Sequence, residues 1–560
     1  MLKKISQAAV LVSLMTTFMP TVNADSSLNR AGIPDSGSLL NELGPQRHIT
    51  PRPEVPQVDV KVPTAKEESG QATAYIHKLV FDCEDLDVNE RLQPLAAGKL
   101  DKKMTFADMQ GLALAATNQL RKEGYMTALV YVPAQDLDGH VLHLKAMIGH
   151  YGDVNIKNTS RLTDERVLGY TYPVRPGQLI KSQPLDKSLL ILNEIPGLQA
   201  KASLAPGVRP DTAKINIEVT NLEKQGGYAY VDNYGSKSTG GWRYGFNYHY
   251  DNLSRVGDMM ELDYLRSSKG MNNYQFRYQT PVGRDGAIAR LGYSHMNYEA
   301  GDRWTFLDNT GMANTLELGV TVPMKRSSKY SSWYDIVYRN RALDDSWFHD
   351  TLDSKKSSDS ISLEVHGYVR ENDYSDSYSI AQTLGNLGMD TEYARDRDSL
   401  LNTAGNYSKT NASLYHIQRL NNRWDLHASV TGQYAWKNLD SSEDFYVGGP
   451  DGVRAFPQGE LGGDSGILGT LELRYRTGLP ELQLTAFVDG ARVEYDHDRI
   501  AGDTSDNIRN IFGAGLGLIY SKPRDWFAKF DWATPLGSHE STSEGETVHN
   551  AWWFRVVKQF

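Results

Sequence analysis

From about Gly226 to Phe560, apolar and polar residues alternate over stretches long enough to be whole strands. In WDLHASVTGQYAW, Trp424, Leu426, Ala428, Val430, Gly432, Tyr434 and Trp436 share one face, and Asp425, His427, Ser429, Thr431 and Gln433 share the other. A period of two is the mark of a strand. WFAKFDW sets Trp526, Ala528, Phe530 and Trp532 against Lys529 and Asp531, and ILGTLELRYR sets Leu471, Leu473 and Tyr475 against Glu472, Arg474 and Arg476. Aromatics mark the ends of the apolar face, and charges recur on the other. That combination fits strands whose apolar face meets outer-membrane lipid and whose polar face lines a lumen. In lipid such a sheet must close on itself, so that every backbone N–H and C=O has a partner. The alternative is a soluble β-sandwich or propeller. Strand length, inward charges and the aromatic last residue weigh against it. The chain ends in AWWFRVVKQF, with Phe560, Val556, Phe554 and Trp552 on one face, the form of a barrel-assembly signal read by assembly machinery. Lys558 interrupts that face, and its stem can snorkel at the interface.

Ahead of Gly226 the period changes. Residues 74–148 read strand, helix, strand, strand. YIHKLVFD is the first strand. Thr105 opens a helix with Phe106, Met109, Leu112, Ala113, Ala116 and Leu120 on one side, and Gly124 ends it. MTALVYVPAQ and HVLHLKAMIG form a hairpin. Residues 149–222 repeat the plan with GDVNI, a helix over QPLDKSLLILNEIPG, and the closing strands LQAKASLAP and AKINIEVT. The repeat predicts two small α/β modules in tandem. Residues 25–73 read as a linker with one island of structure. PRPEVPQVDVKVP, from Pro51 to Pro63, is extended and broken by proline. SGSLLNEL predicts a helix within about residues 34–44, capped by Ser36 or Ser38, with Leu39, Leu40 and Leu43 on its apolar side and Gly44-Pro45 as its stop. A helix this short needs something to dock on.

Residues 1–24 carry Lys3 and Lys4, the apolar run AAVLVSLMTTFM and small residues Val22 and Ala24 at a cleavage site, which predicts a signal peptide. A short membrane anchor is the other reading, and the run is too short for it. Beyond that point no apolar run approaches the roughly 18 residues that suggest a spanning helix. An exported chain without one is either soluble or an outer-membrane barrel. All ten Trp and all but six of the 31 Tyr lie after Gly226, which favours the barrel. The formal net charge is −10, so no overall basic field attracts nucleic acid. The single cysteine, Cys83, leaves no intrachain disulfide and no cysteine metal cluster.

Candidate chemistry concentrates in GGPDGVRAFPQGELGGDSG, Gly448 to Gly466. It lacks the Gly-Lys-Ser/Thr ending of a phosphate loop, and no helix follows it. HExxH spacing is absent, and His140 and His143 fall on opposite faces of an expected strand, so no metal pair forms. No nucleophile elbow is present. These absences predict neither an enzyme site nor a cofactor. In TAFVDGARV, Leu484, Ala486 and Val488 face one way, while Thr485, Phe487 and Asp489 face the other. If the apolar set meets lipid, Asp489 stands in the lumen and needs water or a cation. Arg454, between Val453 and Phe456 in the glycine-rich loop, can fold inward and form a bidentate pair with it. Two unrelated charges in a wet lumen are the alternative.

Together these segments resemble the TpsB transporters of two-partner secretion, exporters of haemolysins and filamentous haemagglutinins, within the superfamily that joins POTRA domains to an outer-membrane barrel. The loop resembles that family's inward lumen motif, carried here by Gly449, Val453, Arg454, Phe456, Gly463 and Asp464, with Ala455 where many members have Gly. Phe487 and Asp489 resemble the barrel-wall motif that the loop Arg meets. KEGYMTALVYVPAQ and PLDKSLLILNEIPGL resemble the two POTRA modules, and VDNYGSKSTGGWRYG (Val231 to Gly245) resembles the first barrel hairpin. PDSGSLLNEL resembles the helix that plugs the lumen at rest. The resemblance implies a transmembrane β-barrel of about 16 antiparallel strands over residues 226–560, preceded by two POTRA modules in the periplasm. It implies export of one large unfolded exoprotein captured by those modules. A barrel-assembly factor of the same superfamily, a passive porin and a soluble exported binding protein are the other readings.

Overall fold

A computed structural model describes residues 34–43, 58–60, 73–209, 211–223, 225–500, 506–537, 541, 543 and 549–560. The expected signal peptide, the Gly44-Pro45 stop and most of the proline-rich linker lie outside the described residues.

The two α/β modules share one topology. In the first, Lys78–Cys83 runs parallel to Val141–Met147, which pairs antiparallel with Leu129–Tyr131. In the second, His150–Asn158 runs parallel to Thr212–Asn221, which pairs antiparallel with Leu198–Pro206. Each sheet therefore has the order first, last, middle, as a strand–helix–strand–strand unit requires when its crossover covers one face. The crossover helices are Phe106–Lys122 and Ser182–Glu194. Thr105 caps the first one reciprocally with Asp108: Thr105 Oγ1 accepts the Asp108 N–H at 3.1 Å, and Asp108 Oδ2 accepts the Thr105 N–H at 2.8 Å. Its buried side, Met109, Leu112, Ala113, Ala116 and Leu120, packs on Leu79, Phe81, Leu142 and Leu144. The second module closes over Leu185, Leu189, Leu192, Ile215 and Ile217. The linker contributes Val58–Val60, added in parallel to the Leu198–Pro206 edge.

Some details differ from the sequence expectation. YIHKLVFD is two strands. Thr73–Ile76 pairs with Lys102–Thr105, and at His77 the chain changes partner, its N–H going to the His140 carbonyl at 2.8 Å. His140 lies in a helical turn rather than a strand. The second module holds an additional helix, Asp164–Tyr170, which buries Val167 and Tyr170.

Sixteen strands, from Gln225–Asp232 to Ala551–Gln559, form a closed barrel in sequence order. The first pairs antiparallel with both the second, Arg243–Asp251, and the last. Leu363, Ile380, Leu384, Trp526, Phe530, Trp532 and Trp552 point outward and are exposed, whereas Glu472, Thr485, Phe487, Asp489 and Asp531 point inward and are buried. This is the alternation that lipid outside and a polar lumen inside demand. Among the described residues no helix is long and apolar enough to cross a membrane, and the strands make the crossing. Asp344 to Ser358, a mostly polar stretch, is mostly ladder: Tyr330–Trp347 pairs with Leu352–Arg370 out to Trp347↔Leu352.

Candidate functional site

The connection between the strands Trp424–Ala435 and Ser465–Arg476 folds back into the barrel and carries the glycine-rich segment. Its tip is a tight reversal: Val453 N–H donates to Val447 O at 2.6 Å, and Gly449 N–H donates to Phe456 O at 3.1 Å. Gly449 has φ +90°, and a Cβ at Gly452 would lie 2.1 Å from the Val447 carbonyl oxygen, so a side chain fits at neither. Val453, Ala455 and Phe456 are fully buried with Phe445, Val447, Phe487 and Ile511.

Arg454 sits at the centre. Its Nε and Nη2 donate to the two oxygens of Asp489, each at 2.9 Å, and its backbone N–H reaches Asp489 Oδ2 at 3.2 Å. Nη1 donates to Glu472 Oε2 at 2.7 Å. The guanidinium lies 3.2 Å from the Phe487 ring centroid. Asp531 Oδ2 is 3.7 Å from Arg454 Nη1 and 2.8 Å from Lys529 Nζ, ionic contacts without hydrogen-bond alignment. Arg474 donates to Glu472 Oε1 at 2.6 Å. Three cations thus balance three carboxylates, the condition under which buried charges persist. Register explains the grouping, because Thr470↔Asp489 and Glu472↔Phe487 are cross-strand neighbours, and the Thr470 hydroxyl donates to Asp489 at 3.0 Å.

The neighbouring strand of the wall is cut away by glycine, with Gly513 paired to Asp489 and Gly515 to Phe487. On Ile508–Ser521, Gly513, Gly515 and Gly517 alternate with outward residues. A Cβ at Gly513 would lie 2.5 Å from Ala455 Cβ, and one at Gly515 would lie 2.4 Å from Phe487 Cζ. The loop tip takes the space at Gly513, the Phe487 ring takes that at Gly515, and the Asp531 and Thr485 side chains take that at Gly517. Asp464 stands apart from the ion cluster. Its oxygens accept the N–H groups of Leu439 at 2.8 Å and His497 at 2.7 Å, and so fasten the loop base. Beside it, the Gly463 carbonyl accepts the Phe445 N–H at 2.7 Å.

A helix, α1 (Ser36–Glu42), lies in the lumen. Asp35, not Ser36 or Ser38, is its cap, and it accepts the Ser38 N–H at 2.8 Å. Asp345, on the inward face of the wall, accepts from the Ser36 N–H at 2.7 Å and from the Ser36 hydroxyl at 2.9 Å. Leu39 is buried beside Leu343, Met296 and Tyr298, with Leu40 and Leu43 packed at the margin. The helix also touches the inward loop. Ser441 Oγ donates to Asp35 at 2.8 Å, and Asn41 Nδ2 donates to Ser441 O at 2.8 Å. Phe560 closes the barrel ends: it exchanges backbone hydrogen bonds of 3.1 Å with Gly227 and stacks on Phe246.

The arrangement holds a long loop and a short helix inside a closed barrel. A model of the haemolysin secretion/activation protein ShlB/FhaC/HecB family matches residues 211–520, and a model of the ShlB-type POTRA domain matches residues 75–149. The chain belongs to the ShlB/FhaC/HecB family. It is 23% identical over 555 residues to the heme/hemopexin transporter protein HuxB of Haemophilus influenzae strain 86-028NP, covering 95% of this chain and 96% of that one. It is 25% identical over 444 residues to the outer membrane transporter CdiB of Dickeya dadantii strain 3937, 76% of each chain. The solved structure of CdiB from Escherichia coli superposes with a TM-score of 0.69 at 18% identity, over 89% of this chain and 93% of that one, a likeness of fold. This member of the family is an outer-membrane transporter of the two-partner secretion type, with its POTRA modules in the periplasm.

Glu472, Asp531 and the glycine column were not singled out from sequence. Glu472 and Asp531 lie on the inward polar faces that the alternation predicts, but pattern alone does not say which lumenal charge meets the loop. The alternation G-A-G-L-G was the available signal for the column.

Proposed function

We propose that this transporter exports one large secreted protein, captured unfolded through its POTRA modules and passed through the barrel after α1 leaves the lumen. The observation that carries the reading is α1 itself, seven residues held in a closed barrel by a few hydrogen bonds and one small apolar patch. Such an element can depart without unfolding the wall. The inward loop, with its ion cluster and apolar core, is the more firmly seated of the two. An extended client can add a strand to an exposed sheet edge. In the second module the Leu198–Pro206 edge carries Val58–Val60, and His150–Asn158 is the opposite edge. Hydrogen bonding along the backbone suits a client recognised for being extended, before it folds. Folding at the cell surface supplies direction, and no step requires covalent chemistry or a cofactor. Outer-membrane lipid surrounds the exposed aromatic face, and barrel-assembly machinery reads the Phe560 strand.

The test is co-expression with a candidate large secreted protein from the same genome, taken first from a reading frame adjacent to this gene if one encodes such a protein. Surface release of that protein should depend on this chain. Unchanged release without it, or a general loss of outer-membrane barrels in the deletion strain, would reject export as its role.

A further inference from the structure

The last strand, Ala551–Gln559, presents two inward side chains that reach to different places. Trp553 Nε1–H donates to the backbone carbonyl of Arg454 at 2.7 Å. Two residues on, and therefore on the same face, Arg555 Nε donates to Asp232 Oδ2 on the first strand at 2.9 Å. Tyr234 joins them. Its ring meets the Trp553 ring edge-on at 6.1 Å and lies 4.3 Å from the Arg555 guanidinium. In register, Asp232 stands between Arg555 on the last strand and Arg243 on the second, whose Nε donates to it at 2.9 Å. All three are buried. The seam between first and last strands pairs in register from Tyr228 to Asp232, and backbone hydrogen bonds of Gly227 with Phe560 and of Asn233 with Phe554 extend it at either end. The buried ions of Asp232, Arg243 and Arg555 tie this ladder together from the lumen side.

The reversal fixes the backbone on either side of Arg454, and the carboxylates fix its guanidinium, but the flexible stem between them does not transmit that hold to the Arg454 peptide groups. Two contacts anchor those groups to the wall. The Arg454 N–H is held by Asp489, and its C=O is held by Trp553 from another strand. We propose that Trp553 is a positioning residue for the loop tip and that, through Tyr234 and Arg555, it joins the loop lock to the barrel seam. Release of the tip and loosening of the seam then favour each other, since a coupling between two sites is reciprocal.

Trp553→Phe keeps a ring against Tyr234 and removes the N–H. Amide hydrogen exchange of the full chain in a lipid nanodisc reads both ends without relying on secretion, so its failure is distinguishable from failure of the export reading. Exchange at residues 451–457 should rise roughly five- to tenfold, the scale of one lost buried hydrogen bond. Exchange at residues 225–235 should rise with it. Asp232→Asn, which touches no loop residue, should accelerate exchange at 451–457 from the seam side. In secretion, Trp553→Phe should add nothing to the defect of Arg454→Ala. Wild-type exchange at the tip in Trp553→Phe overturns the positioning role. An additive secretion defect overturns it too. A tip unaffected by Asp232→Asn, or a seam unaffected by Trp553→Phe, overturns the coupling.

Discussion

Arg454 makes a fork to Asp489, a third bond to Glu472 and a stacked contact with Phe487 at once. A lysine could supply the charge but not the plane, so the site selects the guanidinium by geometry. Removing one partner from such a cluster leaves a buried charge uncompensated, typically at a cost of about 3–5 kcal/mol. The next residue sets the fit. Ala455 carries a methyl group where a glycine would leave a gap, and the wall answers with Gly513, whose added Cβ would come within 2.5 Å of it. Gly513→Ala should therefore unseat the tip, at about 1–3 kcal/mol for an overpacked contact, and lower export of the secreted partner without lowering the amount of barrel in the membrane. Ala455→Gly in the same chain should return the missing space and most of the export. The measurement is secreted partner per unit of membrane-inserted transporter. Wild-type export by Gly513→Ala alone would show that the two positions do not share that space.

Among elements, α1 has the weakest claim to independent existence. Seven residues do not hold a helix in water, so its environment makes it one. Asp35 caps it, Asp345 satisfies its first turn, and Gly37 lets it approach the loop so closely that a Cβ would lie 2.6 Å from Ser441 Oγ. Deleting residues 34–43 should raise single-channel conductance in planar bilayers, and Asp345→Ala should increase the frequency of open events while leaving their size at the deletion level. Equal conductance with and without the helix would remove it as the obstruction. Elements such as α1 and the barrel strands were legible in sequence because one physical rule dominates each: an apolar stripe in a polar linker, or a face turned to lipid. Where two rules competed, the sequence was silent. YIHKLVFD reads as one extended run interrupted only by His77-Lys78, yet its hydrogen bonds change partner at His77. Asp344 to Ser358 is mostly polar and lacks a regular apolar face, yet its ladder continues. In the candidate site, Arg454 and Asp489 stand out as the one cation in a glycine-rich loop and a carboxylate on a lumenal face. Trp553 does not, because its partner is a backbone carbonyl that only the fold brings near.

At the scale of the whole molecule, the barrel and the POTRA modules have separate means of holding together. Each module closes over its own apolar core, around Leu112 and Leu144 in the first and around Leu189 and Ile217 in the second. The barrel closes by pairing its first strand with its last and needs no module strand to complete the ring. Removal of residues 73–222 should therefore leave a barrel that inserts and still migrates as a compact species on unheated gels. Binding of the client is another matter. The barrel wall offers no sheet edge, since closure pairs every strand on both sides, whereas each module sheet ends in edges. An extended client that binds by adding a strand must therefore dock on the modules, and the deletion should abolish export while the transporter persists in the membrane. The two readings are taken from the same cells, as compact barrel in the membrane fraction and partner in the medium. Loss of both would mean that the modules are needed for insertion. Continued export would place recognition in the lumen itself, where the loop and the charged inner wall would have to accept the chain unaided.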